Sequence, residues 1–514
     1  MFKRILAIRW MRAKSDISPD AHFQTDHLIS DIGNRTIRGG AVTLVAQSAK
    51  FSLRMASTII LARLLTPEDF GLFAMVLTVT VFVSNFKDMG LSMATIQRAS
   101  VNHRQINTLL WLNVAMGSVS ILILVSIAPV ISWLYGEPRL TAIIMVLSSA
   151  FVFGGLTVQH QAILRRQMRF VALSGIEVTA IFIGIVIAIV SARYGAGYWA
   201  LVFMQLAIEA VTMIGVWVMC DWRPGLPGWA HGVRSLLGFG GNITGFNAIN
   251  YLMRNLDKIL IGRYFGSQQL GVYSKAYQLM LLPLTELNTP ISFVVLPALS
   301  RLAGQPDQYR RAYLRTLEKV AMLTVPVMAF AAATSDWLVA AILGPQWTNA
   351  SWIFMWLSIA GLHQPITNTT GWLFITQDRT HHMLQWGLVG GTIVITSFMI
   401  GIVWGPVGIA ASYAMFGVFI NAPVLYWFVG RSGPVSTKDI YVTIAPSVIA
   451  ALITAATVLA IRISVDISDY NIGLPLTFVI ATVAALSTYL CFPTGRAALR
   501  DSSNIFSILV KTKT

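Results

Sequence analysis

Four basic residues lie within apolar stretches of the sequence, where a charge is costly. Lys50 and Arg54 belong to the first long apolar stretch, and Arg254 and Lys258 belong to a later one. A basic side chain at the centre of a membrane helix costs about 2.5–3.5 kcal/mol, so the four together cost roughly 12 kcal/mol. The members of each pair are four residues apart and share one helix face. Such a face requires either a water-filled cavity, in which it could bind an anionic group, or partners that neutralise it.

Two alternatives to ligand binding remain open for these residues. No acidic residue of the same stretch can neutralise Arg54. Its long side chain could instead extend to the membrane interface and place the guanidinium in water. Asp257 could neutralise Arg254 and Lys258 near the outer interface. Ion pairs between helices of one lobe are equally compatible with four other charged residues in or near apolar stretches, namely Glu177, Glu209, Lys275 and Glu286.

The helices that position these charges are expected to span a membrane. Only 11% of the 514 residues are charged and 55% are hydrophobic, whereas a soluble domain carries about 25% charged residues. Apolar runs of roughly 20 residues, each sufficient to cross a bilayer as a helix, recur along the chain. We predict an all-α polytopic protein with spans at 40–62, 70–86, 108–133, 140–160, 172–192, 198–219, 236–261, 271–299, 319–342, 350–375, 383–402, 407–429, 440–461 and 472–492.

The distribution of basic residues predicts the orientation. With both termini inside, the inner segments carry 27 Lys and Arg and the outer loops carry 5, as the positive-inside rule requires. The first 36 residues are basic and lack a long apolar stretch, which favours a cytoplasmic arm over a cleavable signal peptide. The net charge of +16 lies mostly in these segments, where it sets topology and attracts anionic lipids, so nucleic acid is not expected as a partner.

An internal repeat divides the chain into two similar halves. At a shift of 200 residues, ILARLLTPEDFGLF (60–73) aligns with LIGRYFGSQQLGVY (260–273), and Arg54 falls on Arg254. At a shift of 210, residues 192–201 align with 402–411 and residues 165–169 align with 375–379. Six spans separate the starts of the halves, which predicts two parallel six-helix lobes with a substrate path between them, followed by two further helices.

Two motifs within these halves resemble a known family. ARLLTPEDFGLFAM (62–75) and IGRYFGSQQLGVYSKAYQL (261–279) are similar to Wzx-type polysaccharide flippases of the multidrug/oligosaccharidyl-lipid/polysaccharide (MOP) exporter superfamily. The resemblance covers about residues 36–495, and NTLLWLN (107–113) favours the branch associated with exopolysaccharides such as colanic acid. It implies an inner-membrane flippase that moves an undecaprenyl-pyrophosphate-linked oligosaccharide by alternating access, with membrane lipids and possible polymerase or export proteins as partners.

On this reading, Lys50, Arg54, Arg254 and Lys258 bind the pyrophosphate, while Asp257 and Glu286 are candidates for coupling to Na⁺ or H⁺. A multidrug cation antiporter of the MATE type and a lipid II flippase remain alternatives, and no outer loop is long enough for a glycosyltransferase domain. No catalytic residue, metal or other cofactor is expected. The predicted domains are an arm (1–36), an N-lobe (37–220), a linker (221–235), a C-lobe (236–430), two further spans (431–495) and a cytoplasmic tail (496–514).

Overall fold

The computed structural model describes residues 32–86, 91–97, 101–228, 234–465, 469–493, 495–496 and 500. These residues are mainly helical and include no β-strand, which confirms the all-α prediction for this part of the chain. The predicted arm and tail fall largely outside the described residues, as does part of the predicted linker.

The helices follow one another with short connections. The first eight are α1 (Ile32–Leu64), α2 (Pro67–Ser84), α3 (Leu91–Gln97), α4 (His103–Tyr135), α5 (Arg139–Ser148), α6 (Ala150–Arg166), α7 (Phe170–Arg193) and α8 (Trp199–Met219). The remaining nine are α9 (Arg234–Arg301), α10 (Pro306–Ala333), α11 (Ser335–Ile342), α12 (Ala350–Thr376), α13 (Thr380–Gly401), α14 (Gly405–Phe416), α15 (Ala422–Gly430), α16 (Thr437–Ser464) and α17 (Tyr470–Cys491). Each of the fourteen predicted spans overlaps one of these helices.

Several helices have the length and hydropathy needed to cross a membrane. Within the described residues, nine helical segments meet both requirements, with mean hydropathies of 1.4 to 2.4. Helices α1, α9 and α12 are not among them, and α1 and α9 carry the two basic pairs.

The long helix α9 comprises two predicted spans that meet at a sharp break. Gly266 has φ 79° and ψ −179°, a backbone conformation that favours glycine because it lacks a Cβ atom. The break aligns with Thr66, which lies between α1 and α2, at the 200-residue shift of the repeat. The chain therefore interrupts its helices at equivalent points in both halves.

Two further connections share their backbone geometry between the halves. Met168, after α6, has φ 53°, and Asp378, after α12, has φ 55°; both are left-handed conformations that are uncommon for non-glycine residues. At the same 210-residue shift, Gly195 has φ 78° and Gly405 has φ 74°. These matched turns confirm the internal repeat that the sequence alignment predicted.

The Cα positions divide the described chain into two compact units. Unit 1 contains residues 32–57, 79–133 and 137–249, and unit 2 contains residues 58–78, 134–136 and 250–500. The interior of unit 1 includes the fully buried Ile106, Leu110 and Trp222. In unit 2 the core contains Tyr309 and Tyr313, whose hydroxyls share hydrogen bonds with Thr376 Oγ1 at 2.6 Å and Thr369 Oγ1 at 3.0 Å, respectively.

Candidate functional site

The two basic residues of α1 differ in their partners: Lys50 forms an ion pair, and Arg54 forms none among the described residues. Lys50 Nζ lies 2.6 Å from Glu177 Oε2, and the Lys50 side chain is only 12% exposed. Glu177 belongs to α7, so the two charges compensate within unit 1. Arg54 is exposed and forms no ion pair with any residue that the structure describes. Arg54 is therefore the cation of this pair that remains available to an anionic ligand.

The pairing of Lys50 leads to a stability prediction. Replacing Glu177 with Gln leaves the Lys50 ammonium without its partner and should lower the free energy of unfolding by about 1–3 kcal/mol, between the values for exposed and buried pairs. The double variant Lys50→Met, Glu177→Gln should recover most of this loss. Thermal unfolding of the detergent-solubilised protein measures both effects, with Glu137→Gln at the more exposed Arg139 pair as a matched control. Equal melting temperatures for Glu177→Gln and Glu137→Gln would show that the pair contributes little.

The second basic pair lies in unit 2 on the first part of α9. Arg254 is exposed, and Lys258 is half-buried. Lys258 Nζ donates a hydrogen bond to Asn255 Oδ1 at 2.9 Å and lies 5.2 Å from the centroid of the Tyr277 ring. Within the described part of the chain, neither cation pairs with a carboxylate. The alternative in which Asp257 forms an ion pair with one of them is not seen in this structure.

Asp257 is instead enclosed by hydrogen-bond donors. Its side chain is 1% exposed, Oδ2 accepts a hydrogen bond from the Tyr273 hydroxyl at 2.8 Å, and Oδ1 accepts one from the Lys258 backbone N–H at 2.8 Å. Tyr273 stacks on Tyr277 with ring centroids 6.3 Å apart. Two hydrogen-bond donors, one at each oxygen, therefore hold the Asp257 carboxyl group in place. The Glu286 side chain lies outside what the structure describes.

Further polar groups near Arg254 were not identified from the sequence. Tyr413 of α14 lies within electrostatic range of both Arg254 and Asp257, and its hydroxyl accepts a hydrogen bond from Gln364 Nε2 at 3.1 Å. Gln364 belongs to α12. Neither residue has a charge that would distinguish it from the other polar residues of apolar helices. We call Arg254, Asp257, Lys258, Tyr273, Tyr277, Gln364 and Tyr413 the unit 2 polar cluster.

Unit 2 also contains a partly open apolar cavity of about 1020 Å³, lined mainly by α10, α12, α15 and α16. Arg462 lies at its border and forms an ion pair with Asp336 at 2.5 Å. His363 lines the cavity, is 7% exposed, and has no hydrogen-bond partner for either ring nitrogen among the described residues. Apolar residues that line a cavity have the same sequence pattern as residues that face lipid, so the sequence did not reveal it.

A comparison with protein families matches residues 60–352, more than half of the chain, to the family described as "Polysaccharide biosynthesis protein". Lipopolysaccharide biosynthesis protein WzxC of Escherichia coli (strain K12) is 26% identical over 398 residues, which cover 77% of this chain and 80% of WzxC.

Among solved structures, lipid II flippase MurJ in an inward closed conformation has a TM-score of 0.69 at 12% identity, covering 87% of this chain and 98% of MurJ. An inward-facing MATE transporter of the MOP superfamily has a TM-score of 0.53 at 13% identity, covering 77% of this chain and 96% of the transporter. These two likenesses show the fold. The chain therefore belongs to the polysaccharide biosynthesis protein family, as its resemblance to Wzx-type flippases predicted, and it has the fold of the MOP superfamily of membrane transporters.

Proposed function

We propose that this protein is a flippase, not an enzyme, and that it moves an undecaprenyl-pyrophosphate-linked oligosaccharide across the bacterial inner membrane. The observation that carries this proposal is the set of cations without carboxylate partners among the described residues, Arg54, Arg254 and Lys258, on α1 and α9 of a polysaccharide biosynthesis protein. A pyrophosphate is a dianion or more, and guanidinium groups bind phosphate oxygens through paired hydrogen bonds. The binding energy offsets the cost of holding these cations in the membrane.

Unit 2 contains groups that suit both the lipid chain and the sugars of the proposed cargo. The apolar cavity has the character required by part of a polyprenyl chain, because its walls are almost entirely aliphatic and aromatic. The hydroxyl of Tyr413 and the amide of Gln364, both half-buried, provide the kind of hydrogen-bonding groups that sugars require. Alternating access between two lobes would then carry the pyrophosphate and sugars across while the lipid chain stays in apolar surroundings.

Asp257 is our candidate for the coupling residue. Its carboxyl group is buried beside Lys258 on the same helix, so a bound proton or Na⁺ would change the local charge seen by an anionic cargo. Glu286 remains a second candidate on α9. A MATE-type cation antiporter is the main competing function, because a buried carboxylate is also what a cationic drug would need.

The proposal predicts the phenotype of a strain that lacks this gene. The strain should accumulate a lipid-linked oligosaccharide on the cytoplasmic leaflet and lose the corresponding surface polysaccharide, because the repeat unit is made but not translocated. Extraction of lipid-linked sugars followed by mass spectrometry gives both the accumulation and the sugar composition. Reintroduction of the gene is the control. Increased sensitivity to cationic drugs, with normal lipid-linked sugars, would favour the antiporter instead.

A further inference from the structure

Two arginines of unit 2 lie in neighbouring turns and have no carboxylate partner among the described residues. Arg379 follows α12 and Arg431 follows α15, both after even-numbered predicted spans and therefore on the side predicted to be cytoplasmic. The two guanidinium groups lie within electrostatic range of each other, where like charges repel. Asp378 is exposed beside Arg379 and forms no ion pair with either arginine. An anion that contacts both arginines would replace this repulsion with attraction.

Uncharged groups hold the two arginines in place. Arg379 donates hydrogen bonds to the Ser432 backbone carbonyl at 2.7 Å and to Ser432 Oγ at 2.5 Å. Gly433, with φ 106°, permits this approach, because a Cβ atom there would lie 3.0 Å from Arg379 Nη1. Arg431 is exposed, and its guanidinium carbon lies 4.5 Å from the centroid of the Phe428 ring. Both cations are therefore positioned without being neutralised.

Aromatic rings pack around these cations and join α13 to α15. The centroid of the Phe428 ring lies 6.0 Å from that of Trp386, 6.1 Å from that of His382 and 6.3 Å from that of Phe374. Trp427, on the turn before Arg431, is 57% exposed. An exposed indole beside cations is typical of the level at which lipid headgroups lie.

A shallow apolar cavity of about 340 Å³ lies farther along the same helices. It is lined by Val389, Thr392, Ile393, Thr396, Phe416 and Ile420. On α13, Val389, Ile393 and Thr396 follow His382 and Trp386 at spacings of three and four residues, so they share one helix face. At 1.5 Å per residue this wall extends from about 10 Å to about 21 Å beyond His382. That range overlaps the depth of an acyl chain in one leaflet, since the whole hydrocarbon core is about 30 Å thick.

From this arrangement we propose that unit 2 binds one anionic phospholipid, such as phosphatidylglycerol, with its phosphate at Arg379, His382 and Arg431 and an acyl chain in the shallow cavity. Charge complementarity selects the headgroup, because a zwitterionic lipid would add a cation beside two arginines that already repel each other. The cavity selects a lipid over a soluble phosphate. The site uses none of the cations assigned to the cargo, so it does not depend on the proposed function.

Leu388 provides a local reporter, because it is 58% exposed on α13 and precedes Val389 of the cavity wall. In a Cys220→Ser, Cys491→Ser background, Leu388→Cys is labelled with bimane, and the full-length protein is reconstituted in phosphatidylcholine vesicles. These vesicles contain increasing fractions of phosphatidylglycerol or phosphatidylcholine that carries a nitroxide quencher on its acyl chain. Phosphatidylglycerol should reach half-maximal quenching at a mole fraction about tenfold lower than phosphatidylcholine does.

Three variants separate the parts of the site. Arg431→Gln should remove most of the preference for phosphatidylglycerol, because it deletes the exposed charge and its free hydrogen-bond donors. Lys438→Gln is the matched control, since it removes an exposed positive charge at the start of α16, seven residues farther along the chain. Ile393→Trp should weaken quenching by both lipids, because the larger side chain fills the cavity while the charges stay unchanged.

A second reporter distinguishes a specific site from general attraction of anionic lipids to basic segments. Val442→Cys lies on α16 one turn beyond the exposed Lys438 and is itself at a 59% exposed position that does not line the shallow cavity. A preference for phosphatidylglycerol at Val442→Cys equal to that at Leu388→Cys would overturn the proposal. So would equal quenching by the two lipids at Leu388→Cys, a comparison that needs no further variant to fold. An unchanged preference in Arg431→Gln would do the same. Since no cargo is added, failure of this site is distinguishable from failure of the flippase function.

Discussion

Replacing Arg54 with alanine is expected to reduce export of the lipid-linked oligosaccharide by about tenfold to a hundredfold, since hydrogen bonds to charged groups contribute about 1.5–3 kcal/mol. Arg54 is exposed and forms no ion pair among the described residues, so the loss should come from cargo binding and not from unfolding. Arg54→Lys should retain intermediate activity, because lysine keeps the charge and loses the planar fork that binds two phosphate oxygens. Arg254→Ala should follow the same order more mildly, since Lys258 lies one turn away.

Surface polymer and accumulated lipid-linked precursor, measured in the complemented deletion strain, report this effect. Immunoblots of membranes establish that each variant is inserted at the level of the unaltered protein. Arg139→Ala serves as the matched control, because Arg139 is a partly exposed arginine paired with Glu137 at the start of α5. Normal export by an Arg54→Ala, Arg254→Ala double variant would show that these guanidinium groups do not hold the cargo's phosphates.

Replacing Asp257 with asparagine is expected to uncouple transport from its driving ion. Asparagine can accept the hydrogen bond from the Lys258 backbone N–H through Oδ1, and its amide can donate one to the Tyr273 hydroxyl oxygen, so the fold should be retained while the titratable group is lost. Gradient-driven transport should fall by roughly 5- to 150-fold, the range of coupling free energies of about 1–3 kcal/mol. Transport down the cargo's own gradient should change much less.

Vesicles prepared with an imposed proton or Na⁺ gradient separate these two activities. The gradient that stimulates the unaltered protein and no longer stimulates Asp257→Asn identifies the coupling ion. Tyr273→Phe is a useful companion, because it removes the donor and leaves the carboxyl group able to titrate. If Asp257→Asn responds normally to both gradients, Asp257 is not the coupling residue, and the Glu286→Gln variant becomes the next one to measure.

The sequence predicted the helices well because membrane spans are governed by local composition. An apolar run of about 20 residues must be helical in a bilayer, since each backbone polar group needs a partner within the same segment. Even the span that contains Arg254, Asp257 and Lys258, the least apolar of the fourteen, is helical in the structure. The sequence alignment of residues 165–169 with 375–379 also indicated that these segments are equivalent, and both contain a left-handed turn, at Met168 and at Asp378.

Contacts between distant helices could not be predicted in the same way. Glu177 lies 127 residues from Lys50, and no spacing rule in a single sequence connects them, although an ion pair between helices was one of the alternatives for Glu177. The repeat aligned Gly71 with Gly271 but gave no sign that their helices touch. The sequence did not identify His363 as a cavity residue, because a single polar residue in an apolar helix has no distinguishing pattern. Such contacts depend on how helices pack, which a single sequence leaves undetermined.

Reconstitution of the purified protein with its lipid-linked oligosaccharide tests the central claim most directly. The lipid isolated from the deletion strain is placed in both leaflets of sealed vesicles, and an impermeant oxidant that attacks sugars is added outside. With the unaltered protein, the inner pool should also become oxidised, whereas vesicles without protein or with the Arg54→Ala, Arg254→Ala variant should keep that pool protected. Protection of the inner pool by folded, unaltered protein, with or without a proton or Na⁺ gradient, would contradict the assignment as a flippase of this cargo.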